Sequence, residues 1–228
     1  MEKIKVVKDG PYLVEGYVPL KKEVIVRGEE GIPIEWKIVD KYQFQEMYGL
    51  CRCGRTYNQP FCDGTHSAIG FDGSETARRE EQSDRAKLYE GPEIDLEDHE
   101  ELCAGLCFCK RAGGVWTLVE RSDDPEAKRI AVEEIVRCAA GRLVAFEKDG
   151  TPIEPKLFKS ISVVEDPGKG VSGPLWVKNG ILIESADGEA YEQRNRVTLC
   201  RCGASGNKPF CDRSHESIRF NDGDATLL

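Results

Sequence analysis

The chain has 228 residues, of which 32% are charged, and its formal net charge is −9. This excess of acid argues against nucleic-acid or anionic-membrane partners, which would require a basic surface. No apolar run approaches the roughly 18 residues of a membrane span, and residues 1–5 do not start a secretory signal. We therefore expect a cytoplasmic protein with no nucleic-acid or membrane partner.

Short β-strands are predicted before residue 50. Apolar and polar residues alternate between Ile4 and Val26, and turn pairs such as Asp9-Gly10 interrupt them. This pattern is typical of short antiparallel strands. Residues 34–39 predict one more strand, and residues 42–50 lead into a cysteine-rich segment.

Three cysteines and one histidine follow at the spacing C-x-C-x8-C-x3-H, which occurs twice. The donors are Cys51, Cys53, Cys62 and His66 in the first copy, and Cys200, Cys202, Cys211 and His215 in the second. Thiols and imidazoles at short spacing are ligands of tetrahedral zinc and of iron–sulfur clusters. Packing alone gives no reason to repeat four such positions in register, so we predict two metal sites. Ten cysteines in this pattern favour metal in a reducing compartment over disulfides.

The third cysteine and the histidine of each copy are four residues apart, which places them on one face of a helical turn. Asp63 and Asp212 come directly after that cysteine. There a carboxylate can accept hydrogen bonds from the free amides of the turn. Amides near the sulfurs can in turn tune the potential of a cluster.

The segment between the two copies differs in composition. Residues 74–101 are dense in charge, and we interpret them as a solvated linker or exposed helix in which His99 is exposed. Asp98 is a candidate cap for a short helix that would carry Cys103 and Cys107.

A better helix is predicted further along the middle segment. It begins at Asp124-Pro125, a capping side chain followed by proline at the first position, and Gly141 can end it. Residues 143–146 predict a strand, and the pair Asp149-Gly150 predicts a turn after it.

The plan of the first 66 residues returns after residue 157. Residues 161–166 resemble residues 4–9, and residues 191–199 enter the second motif as residues 42–50 enter the first. Asn179-Gly180 is a strong signal for a hairpin turn. Two such units in one chain suggest a pseudo-twofold pair, the intramolecular version of a homodimer.

The repeated pattern C-x-C-x2-(S/T)-x3-P-x-C-D-G-(S/T/A)-H resembles the CDGSH iron–sulfur domain of the mitoNEET family. Besides the metal donors, the residues that match are Thr56, Pro60, Asp63, Gly64 and Thr65 in the first copy, and Ser205, Pro209, Asp212 and Ser214 in the second. The second copy departs at Arg213, where the family has glycine. We hypothesise that this positive charge raises the potential of the nearby cluster.

The resemblance implies a 2Fe–2S cluster in each unit, two in all, bound by three cysteines and one histidine. One iron would take the first two cysteines of a copy, and the other iron the third cysteine and the histidine. A histidine ligand can take up a proton near neutral pH. We therefore hypothesise that reduction is coupled to protonation at His66 or His215, and that acid releases the cluster.

The fold expected from these observations is β-rich α+β. Residues 1–73 and 157–228 would be two CDGSH-type units that form an intramolecular pseudo-twofold pair, and residues 74–156 a small helical insert between them. We expect a monomer that contains this internal pseudo-dimer.

The chain shows none of the common nucleotide or metalloprotease fingerprints. It is therefore expected to be an electron or cluster carrier and not an enzyme. Its partner would be a redox protein or an apo iron–sulfur acceptor. The alternatives are a structural zinc protein that uses the same ligands, and buried cysteines without metal.

Four more cysteines lie in the middle segment, namely Cys103, Cys107, Cys109 and Cys138. Their spacing resembles a divergent four-iron ferredoxin-like segment, but the proline after the last cysteine is missing and Cys107 is extra. They could be buried structural cysteines, a third metal site or a redox-active dithiol. The position of Cys138 on the apolar stripe of the predicted helix favours the structural interpretation.

Overall fold

The computed structural model describes residues 2–227, with residues 82 and 83 described by their backbone only. Within this range the fold is α+β and rich in strands. The strands are β1 Lys3–Val6, β2 Tyr12–Glu15, β3 Leu20–Arg27, β4 Pro33–Lys41, β5 Met47–Leu50, β6 Lys87–Glu90, β7 Ile94–Asp98, β8 Leu143–Glu147, β9 Pro152–Ile153, β10 Ser160–Asp166, β11 Val171–Lys178, β12 Leu182–Glu184 and β13 Arg196–Leu199. The α-helices are α1 Thr65–Ala68, α2 Val115–Glu120, α3 Pro125–Val136 and α4 Ser214–Ser217. In the described part of the chain, none of them is long and apolar enough to cross a membrane.

Two of the three sheets exchange a strand between the halves of the chain. The first sheet has the order β12-β1-β2-β5, and the second has the order β13-β11-β10-β3-β4. Strand β12 pairs in parallel with β1, whereas β3 pairs in parallel with β10. Each half therefore completes the sheet of the other half.

One apolar core is shared by these two sheets. It includes Ile4 and Tyr12 from the first half and Ile161 and Leu175 from the second, all of them at most 1% exposed. Every residue of β10 and β11 is buried. Because the exchanged strands build this core, neither half can bury its apolar residues without the other.

The predicted hairpin at Asn179-Gly180 does not form. Both residues have a positive φ, 59° and 62°, as a tight hairpin turn requires. The strands on either side nevertheless diverge, because β11 already has β10 and β13 as neighbours. After the turn the chain crosses to the first sheet, where β12 lies beside β1.

The third sheet, β6-β7-β8-β9, belongs to the middle segment, and α2 and α3 pack on it. The interpretation of residues 74–101 as a linker or helix is therefore wrong for residues 87–98. Ile94 and Leu96 are fully buried, whereas Asp95 and Glu97, which alternate with them, are partly exposed. This alternation is the strand signal that the high charge density obscured.

Two further predictions for the middle segment are also corrected. Asp98 ends β7 and caps no helix; the guanidinium of Arg142 donates to its two oxygens at 2.6 and 2.8 Å. His99 is only 5% exposed, because its backbone amide donates to Arg142 and fixes it beside the sheet. The helix at Asp124 is confirmed, since that carboxylate accepts from the amide of Glu126 at 3.0 Å. It ends at Val136, before Gly141.

Candidate metal centres

The first set of donors, Cys51, Cys53, Cys62 and His66, comes together after β5. The sulfurs of Cys51 and Cys53 lie 3.7 Å apart, and the Cys62 sulfur lies 3.2 Å from Nδ1 of His66. The backbone amide of Cys51 donates to Pro60, and that of Cys62 donates to Gly49. These bonds hold the two ends of the loop side by side.

The second set, Cys200, Cys202, Cys211 and His215, follows β13 with the same geometry. The first two sulfurs are again 3.7 Å apart, and the Cys211 sulfur lies 3.4 Å from Nδ1 of His215. The amide of Cys200 donates to Pro209, as the amide of Cys51 donates to Pro60. The sequence repeat is therefore a repeat of donor geometry.

The donors of each set are arranged as two separate pairs. In the described residues, three His, Cys or carboxylate ligand atoms lie within 4.8 Å of one another only at Glu165, Asp222 and Asp224. A zinc ion with bonds of about 2.3 Å to sulfur would draw all four ligand atoms to within about 4 Å of one another. In this arrangement the four donors of a set do not surround one tetrahedral point.

The aspartate after the third cysteine ties the helical turn to the loop. Asp63 accepts from the amide of Thr65 at 3.0 Å and from the amide of Tyr57 at 2.8 Å. These hydrogen bonds hold the pKa of Asp63 well below its usual range. Asp212 repeats both contacts, at 2.9 and 2.7 Å.

Two buried arginines were not singled out from the sequence. Arg52 lies between the first two cysteines of its set, is 1% exposed, and donates to the carbonyl oxygens of Gly10 and Val7. Arg201 occupies the same place in the second set and donates to Gly173 and Val164. Arg52 fixes its C-x-C loop to the turn between β1 and β2, and Arg201 fixes its loop to strands β10 and β11. The arginine shared by both copies was the available signal.

The two sets differ in their access to solvent. His215 is 3% exposed and Cys211 is buried, whereas His66 and Cys62 are only half-buried. Burial raises the pKa of the Cys211 thiol well above its ordinary value and lowers the pKa of His215 to about 4. An open recess between His66, Asp9 and Asp72 leads to the first set.

The four middle cysteines line one recess, which is called the middle recess below. Its lining includes Cys103, Cys107, Cys109 and Cys138 together with Arg142, and its cavity volume is about 30 Å³. Burial raises the pKa of Cys109 to about 12, and the charge of Cys138 adds to this. Cys138 follows the end of α3 and does not lie on its stripe. The structure therefore brings the four middle thiols to the lining of one recess.

A polar clamp joins the middle recess to the second set; it consists of Lys169, Arg213 and Glu216. Lys169 donates to the carbonyl oxygen of Gly105 at 2.7 Å, lies 3.7 Å from the Cys107 sulfur and pairs with Glu216. Arg213 donates to Glu216 at 2.8 Å. The charge predicted beside the cluster is therefore paired with a carboxylate.

Comparison with protein families covers all three sites. Residues 9–67 and 172–216 match the family described as iron-binding zinc finger CDGSH type. Residues 89–148 match the family described as divergent 4Fe-4S mono-cluster. No curated protein and no solved structure matches the chain significantly. The matched regions contain both donor sets and the middle recess.

Proposed function

Because the chain carries two CDGSH-type iron-binding segments with a divergent 4Fe–4S segment between them, we propose that it is an electron-transfer protein with three clusters. Each donor set would hold a 2Fe–2S cluster, and the middle recess would hold a 4Fe–4S cluster on its four cysteines. The observation that carries this proposal is the pairing of donors, at 3.7 Å between two sulfurs and at 3.2 or 3.4 Å between sulfur and imidazole.

In the first set, Cys51 and Cys53 would bind one iron, and Cys62 and His66 the other. The second set would use its four donors in the same order. When bound, such clusters take up and release single electrons at potentials that hydrogen bonds and solvent exposure adjust. The rest of the chemistry comes from the chain itself.

The residues around the ligands have three tasks. Arg52 and Arg201 orient the C-x-C loops. The amide of Arg213 points at the Cys211 sulfur from 3.4 Å and can stabilise negative charge there. Partly exposed His66 can exchange a proton with water as the charge of its site changes, whereas the packing around His215 excludes water.

The two halves would form the expected pseudo-twofold pair within a monomer. Three reciprocal features support this. Strands β3 and β12 are exchanged, Arg52 and Arg201 make equivalent contacts, and the loops at Gly54 and Gly203 each touch the C-x-C loop of the other half. No function as an enzyme is proposed.

Donation of a cluster to an apo-protein is a second candidate function, and it is confined to the first set. The half-buried His66 borders an open recess, through which an acceptor's thiols could reach the iron. The cysteine pattern, which favours metal over disulfides, supports a reducing compartment such as the cytoplasm. The partner would be a redox protein or an apo acceptor.

The test is an absorption spectrum of the freshly purified protein, with iron, sulfide and zinc counted per chain. Three clusters predict a coloured protein with about eight irons and eight sulfides. About four of each would remove the middle cluster from the proposal. A colourless protein with about two zincs would overturn it in favour of structural zinc.

A further inference from the structure

We infer that the second set is an internal relay, which passes electrons between the middle recess and the first set. This inference rests on the proposed function. It adds an order to the three sites and two separate places at which redox partners bind. Three observations support it: the contact between the middle recess and the second set, the contact between the two sets, and the difference in their exposure.

The loop of the middle recess lies directly on the second set. A side chain at Gly105 would meet Cγ of Arg213 at 2.6 Å and the Glu216 carboxylate at 2.5 Å. Ala104, Leu106 and Phe108 belong to the same apolar cluster as Cys211. The two sites therefore share an apolar contact, and Lys169 bridges them at its exposed edge.

The second set also touches the first set through the backbone. A side chain at Gly54 would meet the carbonyl oxygen of Cys202 at 2.6 Å, and one at Gly203 would meet that of Cys53 at 2.7 Å. Both glycines have a positive φ, 72° and 80°, which favours glycine. The ligand loops are thus as close as two backbones can pack.

Exposure sets the order of the sites. Cys200, Cys211 and His215 are buried, and of the second set only Cys202 is partly exposed. In the first set both Cys62 and His66 are partly exposed, as are all four cysteines of the middle recess. The most buried of the three sites, in contact with the two more accessible ones, is placed to connect them.

The transfer needs no bond to form or break in the protein. A one-electron donor of the reduced-ferredoxin class loses an electron at one accessible site. The electron then passes through the second set, and a one-electron acceptor gains it at the other accessible site. The clamp of Lys169, Arg213 and Glu216 supplies fixed charges at the contact between the middle recess and the second set.

The experiment uses electron paramagnetic resonance on the dithionite-reduced full chain. The unpaired electrons of neighbouring reduced clusters speed one another's spin relaxation. The signal of the middle cluster should therefore be broad in the wild type and should need high microwave power to saturate. Cys202→Ala disables the second set and should lower the power needed for half-saturation of the middle signal several-fold. Cys53→Ala, the equivalent change in the first set, should leave the middle signal as in the wild type.

The inference is overturned if Cys202→Ala leaves the middle signal unchanged, or if Cys53→Ala alters it equally. Should the Cys202 variant fail to fold, a redox titration of the wild type decides the question. The middle signal should broaden in step with reduction of the second set, and a width independent of that step would overturn the relay. Absence of a four-iron signal would instead defeat the proposed function.

Discussion

The hydroxyl group of Tyr12 donates to the carbonyl oxygen of Cys200, the first ligand of the second set, at 2.9 Å. It also lies 2.9 Å from the carbonyl oxygen of Pro209. Tyr12 belongs to β2 in the first sheet and is fully buried. A side chain of one half therefore anchors a ligand loop of the other half, and the stability of the core is linked to that of the second site.

Tyr12→Phe is expected to lower the free energy of unfolding by about 1–3 kcal/mol, because the buried carbonyl oxygen of Cys200 loses this donor. It should also speed loss of the second-set cluster, which a chelator challenge would measure. The control is Tyr48→Phe, whose hydroxyl donates to Val18 within the first half. Tyr48→Phe is expected to lower the free energy of unfolding by a similar amount without speeding loss of the second-set cluster. Equal effects of both variants on that cluster would contradict the link.

The buried ion pair between Glu23 on β3 and Lys178 on β11 joins the exchanged strand to the other half, at 2.7 Å. Glu23→Gln is expected to cost about 3–5 kcal/mol, because a buried ammonium loses its counter-charge. The double variant with Lys178→Met should cost less than the sum of the two single changes. Urea denaturation would measure all three.

The surface pair between Arg129 and Glu126 is the contrast to that buried pair, since both side chains are more than half exposed. Glu126→Gln should change the free energy of unfolding by less than about 1 kcal/mol. For the buried pair, a double variant whose cost equals the sum of the Glu23→Gln and Lys178→Met costs would show that the charges of Glu23 and Lys178 do not interact.

Glu134 predicts a pH dependence of stability. It is 2% exposed, neither carboxylate oxygen has a hydrogen-bond partner among the described residues, and burial raises its pKa to about 7 from 4.5. Its contribution to stability is therefore complete below pH 4.5 and is lost as the pH rises to 7, on the order of 2 kcal/mol. Glu134→Gln should abolish this loss, as urea midpoints between pH 4.5 and 8 would show.

Glu133 on the same helix is the matched control, because its hydrogen bond from Arg111 lowers its pKa. A carboxyl group whose pKa is lowered in the folded state stabilises the protein at pH values above its unfolded-state pKa. This stabilisation is lost in acid. Glu133→Gln should therefore leave the slope between pH 4.5 and 7 in place. A wild-type curve that is flat over that range would contradict the assignment to Glu134.

The clamp predicts how the potential of the second set responds to charge. Glu216→Gln leaves Lys169 and Arg213 without their carboxylate, and the net positive charge should raise the potential by favouring the reduced state. Arg213→Gly leaves Glu216 paired with Lys169, so its effect should be smaller and opposite in sign. Spectroscopic redox titration measures both, and equal potentials in all three proteins would rule out electrostatic control by the clamp.

The unequal exposure of the two histidines predicts that acid releases the cluster of the first set before that of the second set. At mildly acidic pH the first cluster should be lost several-fold faster than the second, because protons reach His66 more readily than buried His215. His66→Cys should remove this acid sensitivity. Absorbance decay between pH 5 and 8 is the measurement, and a variant that decays as fast as the wild type would refute the role of His66.

Features that depend on local spacing could be predicted from the amino-acid sequence. Cys51 and Cys53 must share a short loop, and Cys62 and His66 must share a helical turn, wherever the chain goes next. The start of α3 at Asp124 is local for the same reason, since a side chain there reaches the amide two residues on. The pairing of the motif residues and the start of α3 could therefore be predicted without a fold, whereas the cap expected at Asp98 could not be judged from local sequence.

Which strands pair and which sites meet depends on the tertiary structure. Asn179-Gly180 has the backbone of a hairpin turn, yet β12 joins β1 because β10 and β13 occupy both edges of β11. The burial of His99 and the approach of Gly105 to Arg213 likewise depend on contacts between distant segments. Such contacts carry no local pattern, because they follow from how three sheets share their apolar surfaces.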